Sequence, residues 1–320
     1  MITSPLRIET TDEPHAAAVE VLGLTKRYGR RTAIDSVTFD ISPGEVFGFL
    51  GPNGAGKTTT IRTLLGLTRP TSGVARILGQ PAGPHSRQVR ADVGYVPGSP
   101  ALYPRLSAWD NLKFLARMRG VECDYEIFEL ADRLQLELHR HVHDLSHGNR
   151  QKVAIIQALM HRPKVLLLDE PTIGLDPVVT REFEILLREL TADGCAVLLS
   201  SHILSEVEHW SDRVGVINQG RLLAVETIAS LKARSVRTYD LYFDRPTPAA
   251  AIESVPGVTQ VQAVDSHISC TVSGPQTQLL REAVDLGVID LRTTEPSLED
   301  IFIDLVASDS NKTATTRSTR

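Results

Sequence analysis

A glycine-rich segment, GPNGAGKTT at residues 51–59, has the residue types and spacing of a phosphate site. It matches G-x-x-x-x-G-K-[ST] and stands between a strand-like run, VFGFL, and a helix-like run, TTIRTLLGL. There the glycines let backbone N–H groups surround phosphate oxygens, the Lys57 ammonium reaches the β- and γ-phosphates, and the Thr58 hydroxyl is a ligand for Mg²⁺. The segment predicts a nucleoside triphosphate site made of Gly51, Pro52, Asn53, Gly54, Ala55, Gly56, Lys57, Thr58 and Thr59.

Two adjacent carboxylates follow another strand-like run, in VLLLDEP at 165–171. Asp169 is suited to hold Mg²⁺ directly or through water, and Glu170 is suited to accept a proton from an attacking water molecule. Such a pair is often only a solvated strand end, but the phosphate loop favours the catalytic interpretation. His202 follows the strand-like run AVLLSS, at the rim where parallel sheets bind ligands, and a neutral imidazole there can bond the γ-phosphate.

A third candidate site is DLSHGNRQK at residues 144–152. It opens a helix whose apolar face carries Val153, Ile156 and Met160. The N–H groups at such a helix start are free and its dipole end is positive, so Ser146 and Gly148 predict a second anion site. These residues alone do not name the anion.

The elements that position these residues have the pattern of an α/β protein. Residues 19–50 have a β pattern, and short apolar strands then alternate with helix-length segments, as in a parallel sheet with crossover helices. Residues 98–162 have a helical pattern, in which Ser107 and Asp110 form a capping box. We therefore predict one domain over 18–230 with an inserted helical subdomain over about 98–162.

The remainder of the chain predicts a second domain over 237–306. Its segments follow the order β-α-β-β-α-β, the split ferredoxin-like pattern, and a last helix is capped by Ser297 and Asp300. Residues 1–17 and 307–320 contain little that a core could bury, so we expect disordered tails there.

The composition of the chain excludes some classes of function. The 320 residues carry a formal charge of -5, and 42% are hydrophobic. This balance gives no global attraction to nucleic acid, so we expect no nucleic-acid partner. No apolar run approaches the length of roughly 18 residues that a membrane span requires. The three cysteines are far apart and form no CxxC pair, which is typical of a reducing compartment.

The order of these motifs resembles that of the ATPase subunits of ABC transporters over roughly residues 19–225. The matching features are, in chain order, Tyr28, GPNGAGKTT, LSHGN, VLLLDEP, GLD at 174–176 and SSH at 200–202. The resemblance implies a P-loop ABC ATPase core: a parallel sheet with helices, an N-terminal antiparallel β part and an inserted helical subdomain. The small α+β ferredoxin-like domain would follow this core. The implied cofactors are ATP and Mg²⁺.

The resemblance also implies roles that the residues alone do not give. Tyr28 would stack on adenine, Glu170 would polarise the water and His202 would hold the γ-phosphate. Asp176 would lie at the contact between two subunits. In trans, the residues that bind the γ-phosphate of ATP held by the opposite subunit would be Ser146, His147, Gly148 and Asn149.

The chain departs from the family pattern at two places. The loop after VGYV normally offers a glutamine that touches Mg²⁺ and the water, whereas this chain has Gly98. A glycine has no side chain to give, so coupling between the partner and hydrolysis is expected to differ. The signature usually reads LSGGQ, and here His147 and Asn149 stand in its third and fifth places. The extra imidazole could add a contact or a pH dependence.

The function that this resemblance implies is ATP hydrolysis by a dimer that drives substrate export, in the drug or antibiotic efflux branch. Its partners would be a second copy or a related ATPase subunit, and a separate transmembrane permease docked near Gly98 to Asn111. The chain would lie at the cytoplasmic face of the membrane. The alternative is a soluble ABC ATPase acting on ribosomes or DNA, but there is one cassette and no coiled-coil run between Lys57 and Ser146. A simple P-loop kinase would leave Ser146 to Asn149 unexplained.

Overall fold

The computed structural model describes residues 17–83, 86–234, 237–294, 298–303 and 305–306. The predicted tails, 1–17 and 307–320, lie outside these ranges except for residue 17. The described residues form two compact units: one contains the chain up to Phe47 and Gly56–Ser200, and the other contains Gly48–Ala55 and the chain from Ser201. The domain boundary predicted between 230 and 237 stays a prediction.

No helix within the described ranges has both the length and the apolar character needed to cross a bilayer. The strands up to residue 201 are β1 (Val19–Tyr28), β2 (Arg31–Ile41), β3 (Val46–Leu50), β4 (Ser72–Ile77), β5 (Gln80–Pro81), β6 (Val93–Val96), β7 (Val165–Asp169) and β8 (Ala196–Ser201). The helices over the same part are α1 (Lys57–Leu64), α2 (Arg87–Ala91), α3 (Ala108–Arg119), α4 (Asp124–Arg133), α5 (His147–Leu159) and α6 (Pro177–Ala192).

The N-terminal strands form the predicted antiparallel part, a four-stranded sheet in the order β2-β1-β4-β5. In β2 the alternating side chains of Val37, Phe39 and Ile41 are buried, which is the period-2 pattern of a strand with one covered face. The Phe39 ring stacks on that of Phe47, with 5.0 Å between the ring centroids. This contact ties the antiparallel sheet to the start of β3.

A parallel sheet positions the next candidate residues, Asp169 and Glu170. Strands β6, β7 and β8 pair in parallel, and Asp169 at the end of β7 pairs with Ser200 on β8. All residues of β7 and β8 are buried. Continuous apolar strands of this kind are covered on both faces, so the polar side chains come only at their carboxyl ends. The fold thereby gathers its reactive groups at one edge.

The helical region begins as predicted. The Ser107 Oγ accepts a hydrogen bond from the Asp110 backbone N–H at 3.0 Å, and α3 ends at Gly120, whose φ is 73°. A capping side chain at one end and a left-handed glycine at the other define the helix limits. Helix α5, which carries the signature, is buried along most of its length from Gln151 to Leu159.

His161, just after α5, is a histidine whose burial opposes its protonation in the folded protein. Its Nε2 lies 3.2 Å from the Val93 carbonyl oxygen, while its Nδ1 is buried and has no hydrogen-bond partner among the described residues. Burial, aided by the Arg119 charge, lowers the pKa of His161 to about 4. As pH falls from about 6.5 to 4, the unfolded chain therefore takes up a proton that the folded chain does not, and stability falls.

We expect His161→Gln to remove about 2 kcal/mol of this pH dependence, allowing for partial solvent access. The glutamine can donate to Val93 but does not titrate. Thermal unfolding of both proteins at pH 7.5 and pH 4.5 measures the difference. An equal loss of Tm on acidification in both proteins would show that other groups cause the effect.

The second unit contains the elements after residue 201. Its helices are α7 (Leu204–Trp210), α8 (Ile228–Arg234), α9 (Ala249–Glu253) and α10 (Thr277–Asp285). Its strands are β9 (Arg213–Asn218), β10 (Arg221–Thr227), β11 (Arg237–Phe243), β12 (Val258–Val264), β13 (His267–Val272) and β14 (Val288–Thr294). Strands β9 and β10 form an antiparallel pair.

The elements from β11 to β14 have the predicted β-α-β-β-α-β order. They form a four-stranded sheet in the order β12-β13-β11-β14, in which β11 is flanked by β13 and β14. Tyr239, Leu241 and Phe243 point from β11 into a core that also contains Ile252 and Leu279. This part of the chain therefore has its own hydrophobic core.

Residues 298–303 and 305–306 are helical, as predicted for the end of the chain. The predicted cap Ser297 lies outside the described residues. Leu298 and Ile301 pack in a buried cluster with Val207 of α7 and with Leu50, the residue that precedes the glycine-rich loop. The terminal helix thus packs against the end of β3, the strand that leads into the glycine-rich loop.

Candidate functional site

The glycine-rich loop has the backbone conformation that its sequence predicts. Gly54 and Gly56 have φ values of 81° and 120°, in the region that favours glycine. A Cβ at Gly51 would lie 2.2 Å from the Ile217 carbonyl oxygen, so only glycine fits there. Gly56 is the N-cap of α1 and makes no side-chain cap hydrogen bond, and the first backbone N–H groups of a helix point outward from its start. Such a loop can bind phosphate oxygens.

Lys57 and Glu170 are brought together at the start of α1. The Lys57 Nζ lies 3.8 Å from the Glu170 Oε1, and both side chains are largely buried. Burial lowers the pKa of Lys57, while Glu170 and Asp169 act in the opposite direction. A cation held beside two carboxylates in a shielded place is suited to bind a phosphate group that carries negative charge.

Thr58 and Asp169, the predicted magnesium ligands, are hydrogen-bonded. The Thr58 Oγ1 donates to the Asp169 Oδ1 at 3.1 Å, and the Ser200 Oγ donates to the same oxygen at 3.2 Å. Burial raises the pKa of the Asp169 carboxyl, and the two hydroxyl groups counteract this. Mg²⁺ prefers hard oxygen ligands and usually binds through one or two protein carboxylates with several waters. A buried carboxylate beside a hydroxyl fits that ion.

Glu170 has an unusual backbone conformation. Its φ is 54°, which is rare for a residue with a Cβ, and its N–H donates to the Ser200 carbonyl at 2.8 Å. Such conformations cost free energy and persist where the surrounding structure fixes them. The backbone therefore fixes the direction in which the Glu170 side chain leaves the chain.

The signature segment lies at an open helix end. Ser146 is the N-cap of α5, and its Oγ accepts a hydrogen bond from the Asn149 N–H at 3.2 Å. Ser146 and His147 are exposed. A Cβ at Gly148 would lie 2.2 Å from the Gly174 carbonyl oxygen, so this position requires glycine. The same close approach places the His147 ring against Gly174.

The other predicted site residues lie on separate elements. Tyr28 ends β1; the residue is 50% exposed, and the Lys26 Nζ lies 4.9 Å from the centroid of its ring. His202 is exposed and directly follows β8. The Asp176 Oδ1 caps α6 by accepting hydrogen bonds from the N–H groups of Val178 and Val179, both at 3.0 Å. The Val179 hydrogen bond is the main reason that the pKa of Asp176 is lowered.

The sequence matches two family models, "ABC transporter" over residues 34–173 and "ATP-binding protein DrrA1-3-like, C-terminal domain" over residues 227–306. The bacitracin transport ATP-binding protein BcrA of Bacillus licheniformis is 35% identical over 296 residues, which cover 90% of this chain and 97% of that protein. The chain belongs to the ABC transporter ATP-binding proteins.

Further relatives agree with this assignment. The linearmycin resistance ATP-binding protein LnrL of Bacillus subtilis is 32% identical over 88% of this chain and 96% of its own length. A solved ATP-binding subunit of an ABC transporter is 31% identical with a TM-score of 0.63, over 67% of this chain and 92% of that chain. A dimeric bacterial ABC transporter cassette has a TM-score of 0.61 at 25% identity, over 66% of this chain and 98% of that chain. The predicted family, P-loop fold class and ATPase activity are confirmed.

In this ABC ATP-binding protein, Gly98 lies against the end of β7. A Cβ at Gly98 would lie 3.1 Å from the Asp169 carbonyl oxygen and 3.6 Å from the Glu170 Cβ. The loop after β6 therefore reaches the predicted catalytic residues through its backbone. A Cβ here would be tighter than an ordinary contact with the Asp169 carbonyl oxygen, so a side chain at position 98 would require a small shift of the backbone.

Two residues of this ABC ATP-binding protein make contacts at the site that were not predicted from the sequence. Ser200 donates to the Asp169 carboxylate, and the signal was its place in SSH, beside His202. Gln151 is fully buried and donates to the Pro171 carbonyl at 3.0 Å. Nothing in the spacing of Gln151 distinguishes it from the other residues of an amphipathic helix.

Proposed function

We propose that two copies of this chain, or one copy and a related subunit, hydrolyse ATP and drive export of a drug or antibiotic through a separate membrane-spanning permease. The single observation that supports this most strongly is the arrangement of Lys57 beside Glu170 and of Thr58 beside Asp169. Relatives named for bacitracin transport and linearmycin resistance support the class of substrate.

The chemistry follows from the functional groups. Lys57 and the loop N–H groups bind the β- and γ-phosphates, Tyr28 stacks on adenine, and His202 bonds the γ-phosphate. Glu170 accepts a proton from water while the oxygen of that water bonds to the γ-phosphorus. The bond to the β–γ bridging oxygen breaks, and the products are ADP and phosphate. Thr58 and Asp169 would hold Mg²⁺, which neutralises charge on the phosphate oxygens when it is bound.

The signature completes the site of the opposite subunit. Ser146 and His147 are exposed, and the end of α5 presents a positive dipole. Ser146, His147, Gly148 and Asn149 bind the γ-phosphate of ATP held by the partner, and Asp176 lies at the contact between subunits. ATP then joins the two subunits, and hydrolysis removes the phosphate contact that holds them.

The permease docks near the segment from Gly98 to Asn111, at the cytoplasmic face of the membrane. Tyr103 is 53% exposed and packs edge-on against Phe114, with 5.3 Å between the ring centroids. The buried Asn111 side chain bonds both the N–H and the carbonyl of Tyr103. An exposed aromatic ring on a shaped loop is suited to an apolar protein partner.

Residues 237–306 act as an accessory domain that regulates or helps to dimerise the subunit, following the ATPase domain over 18–230. The support is its own hydrophobic core and the match of residues 227–306 to a C-terminal family model. The terminal helix gives it a contact with Leu50 before the glycine-rich loop.

Photo-crosslinking at Tyr103 tests the partner. We expect a photoreactive phenylalanine at Tyr103 to capture a membrane protein with several spans in the native host. The matched control is the same residue at Leu67, which is 68% exposed and should not capture that protein. Capture of soluble proteins alone at Tyr103, or equal capture at both positions, would contradict the proposed docking segment.

A further inference from the structure

Gln151 joins two loops that flank the predicted catalytic carboxylate. It is fully buried, near the start of α5. Its Nε2 donates to the Pro171 carbonyl at 3.0 Å and makes a longer contact with the Pro97 carbonyl at 3.5 Å. Pro171 directly follows Glu170, and Pro97 directly precedes Gly98. One amide group therefore touches both segments.

The orientation of the amide follows from its neighbours. Both proline carbonyls can only accept hydrogen bonds, so the NH₂ group must face them. The Gln151 Oε1 is then left buried with no partner among the described residues. A buried acceptor without a donor opposes folding, and such atoms in native proteins call for an explanation beyond packing. The two contacts of the NH₂ group, with Pro171 and Pro97, provide that explanation.

These contacts bear on the conformation of Glu170. Its φ of 54° is a strained conformation that depends on its neighbours, and Gln151 holds the carbonyl of the next residue. On the other side, Gly98 approaches the Asp169 carbonyl through its backbone only. A movement of the loop at Pro97 can thus reach Glu170 through Gln151, without a side chain at position 98.

We propose that Gln151 is a positioning residue that couples the Gly98 loop to Glu170. This rests on the proposed function, in which Glu170 accepts the proton of the attacking water. Gln151 touches neither nucleotide nor water in this account. It fixes the Pro171 carbonyl and thereby the direction of the Glu170 carboxylate, and it passes displacement of Pro97 to the same place.

The test compares Gln151→Met with Gln262→Met in the full-length protein. Methionine preserves length and volume but has no donor. Gln262 is an exposed glutamine on β12, so its variant controls for the substitution itself. In Gln151→Met we expect kcat for ATP to fall roughly tenfold or more, because a small misplacement of a catalytic group has a large effect on rate. Affinity for a fluorescent ATP analogue should stay within about twofold.

Stability is measured on the same samples. Gln151→Met removes one buried unpaired oxygen, on Gln151, but takes the donor away from two carbonyls, those of Pro171 and Pro97, so we expect a Tm only modestly below that of the parent protein. Gln151→Asn keeps the amide but shortens its reach, and it should also lower kcat. A kcat within about twofold of the parent in either folded variant would overturn the proposal. The proposal would also be overturned if kcat and the affinity for the ATP analogue fell by the same factor.

Glu170→Gln tests the proposed role of Glu170 separately from that of Gln151. If Glu170→Gln keeps its turnover, the proposed role of Glu170 fails and Gln151 has nothing to position. If Glu170→Gln loses turnover while Gln151→Met keeps it, the proposed function survives and the coupling role of Gln151 is wrong.

Discussion

Glu170→Gln is expected to lower kcat for ATP hydrolysis by about 10²- to 10⁴-fold, the range typical of losing a general base. The amide has nearly the same shape as the carboxylate but cannot accept the proton of water. ATP binding should remain, because Lys57 and the glycine-rich loop are unchanged. The variant should then accumulate as a closed dimer with bound ATP, since the step that separates the subunits is blocked.

Phosphate release and size-exclusion chromatography with and without ATP measure these two effects. Glu253→Gln is the matched control, because Glu253 is an exposed residue at the end of α9. The control should behave as the parent protein does. Turnover by Glu170→Gln at the parental rate would remove Glu170 from the role of base.

Lys57→Met should lose nucleotide binding as well as turnover. The Lys57 side chain is buried, with its Nζ 3.8 Å from the Glu170 carboxylate. Without this cation, the β- and γ-phosphates would meet the negative charges of Glu170 and Asp169 with less compensation. We expect the Kd for ATP to rise about 100-fold, in line with the loss of a charge-assisted contact to phosphate.

Equilibrium binding of a fluorescent ATP analogue measures this change. Lys164→Met is the control: Lys164 is exposed and lies 3.4 Å from Asp92, and surface ion pairs of this kind contribute little to stability. Its nucleotide affinity should match that of the parent protein. An unchanged Kd in Lys57→Met would contradict the assignment of the phosphate site.

The proposed catalytic residues could be predicted where a motif occupies consecutive positions of the chain. A strand, a glycine-rich loop and a helix follow one another directly in the chain, so local sequence placed Lys57 and Thr58. A buried apolar strand ending in two carboxylates placed Asp169 and Glu170 in the same way. The structure brings the start of α1 to the end of β7, with 3.1 Å between the Thr58 Oγ1 and the Asp169 Oδ1 and 3.8 Å between the Lys57 Nζ and the Glu170 Oε1.

Contacts between distant residues were not predictable. Ser200 bonds Asp169 because β8 is the neighbour of β7, and strand order is a tertiary property. Gln151 has no sequence signal, since its partners are two backbone carbonyls in other segments. Asp176 was predicted from resemblance as a contact between subunits, and the structure adds a local role as the cap of α6. The subunit contact itself stays a prediction.

In the second part of the chain, too, local features were predictable and contacts between distant segments were not. Period-2 and helical patterns predicted its β-α-β-β-α-β order, which depends on local residues. The sheet order β12-β13-β11-β14 and the packing of Leu298 and Ile301 near Leu50 depend on contacts between segments distant in sequence.

The composite site is tested most directly by mixing two inactive variants, Lys57→Met and Ser146→Arg. Each homodimer lacks a working site, whereas a mixed dimer has one site with an intact Lys57 and an intact Ser146. When equal amounts of the two variants exchange subunits at random, half of the dimers are mixed, so we expect recovery of about a quarter of the parental ATPase rate. A mixture whose rate equals the sum of the two separate variants at every ratio would contradict it.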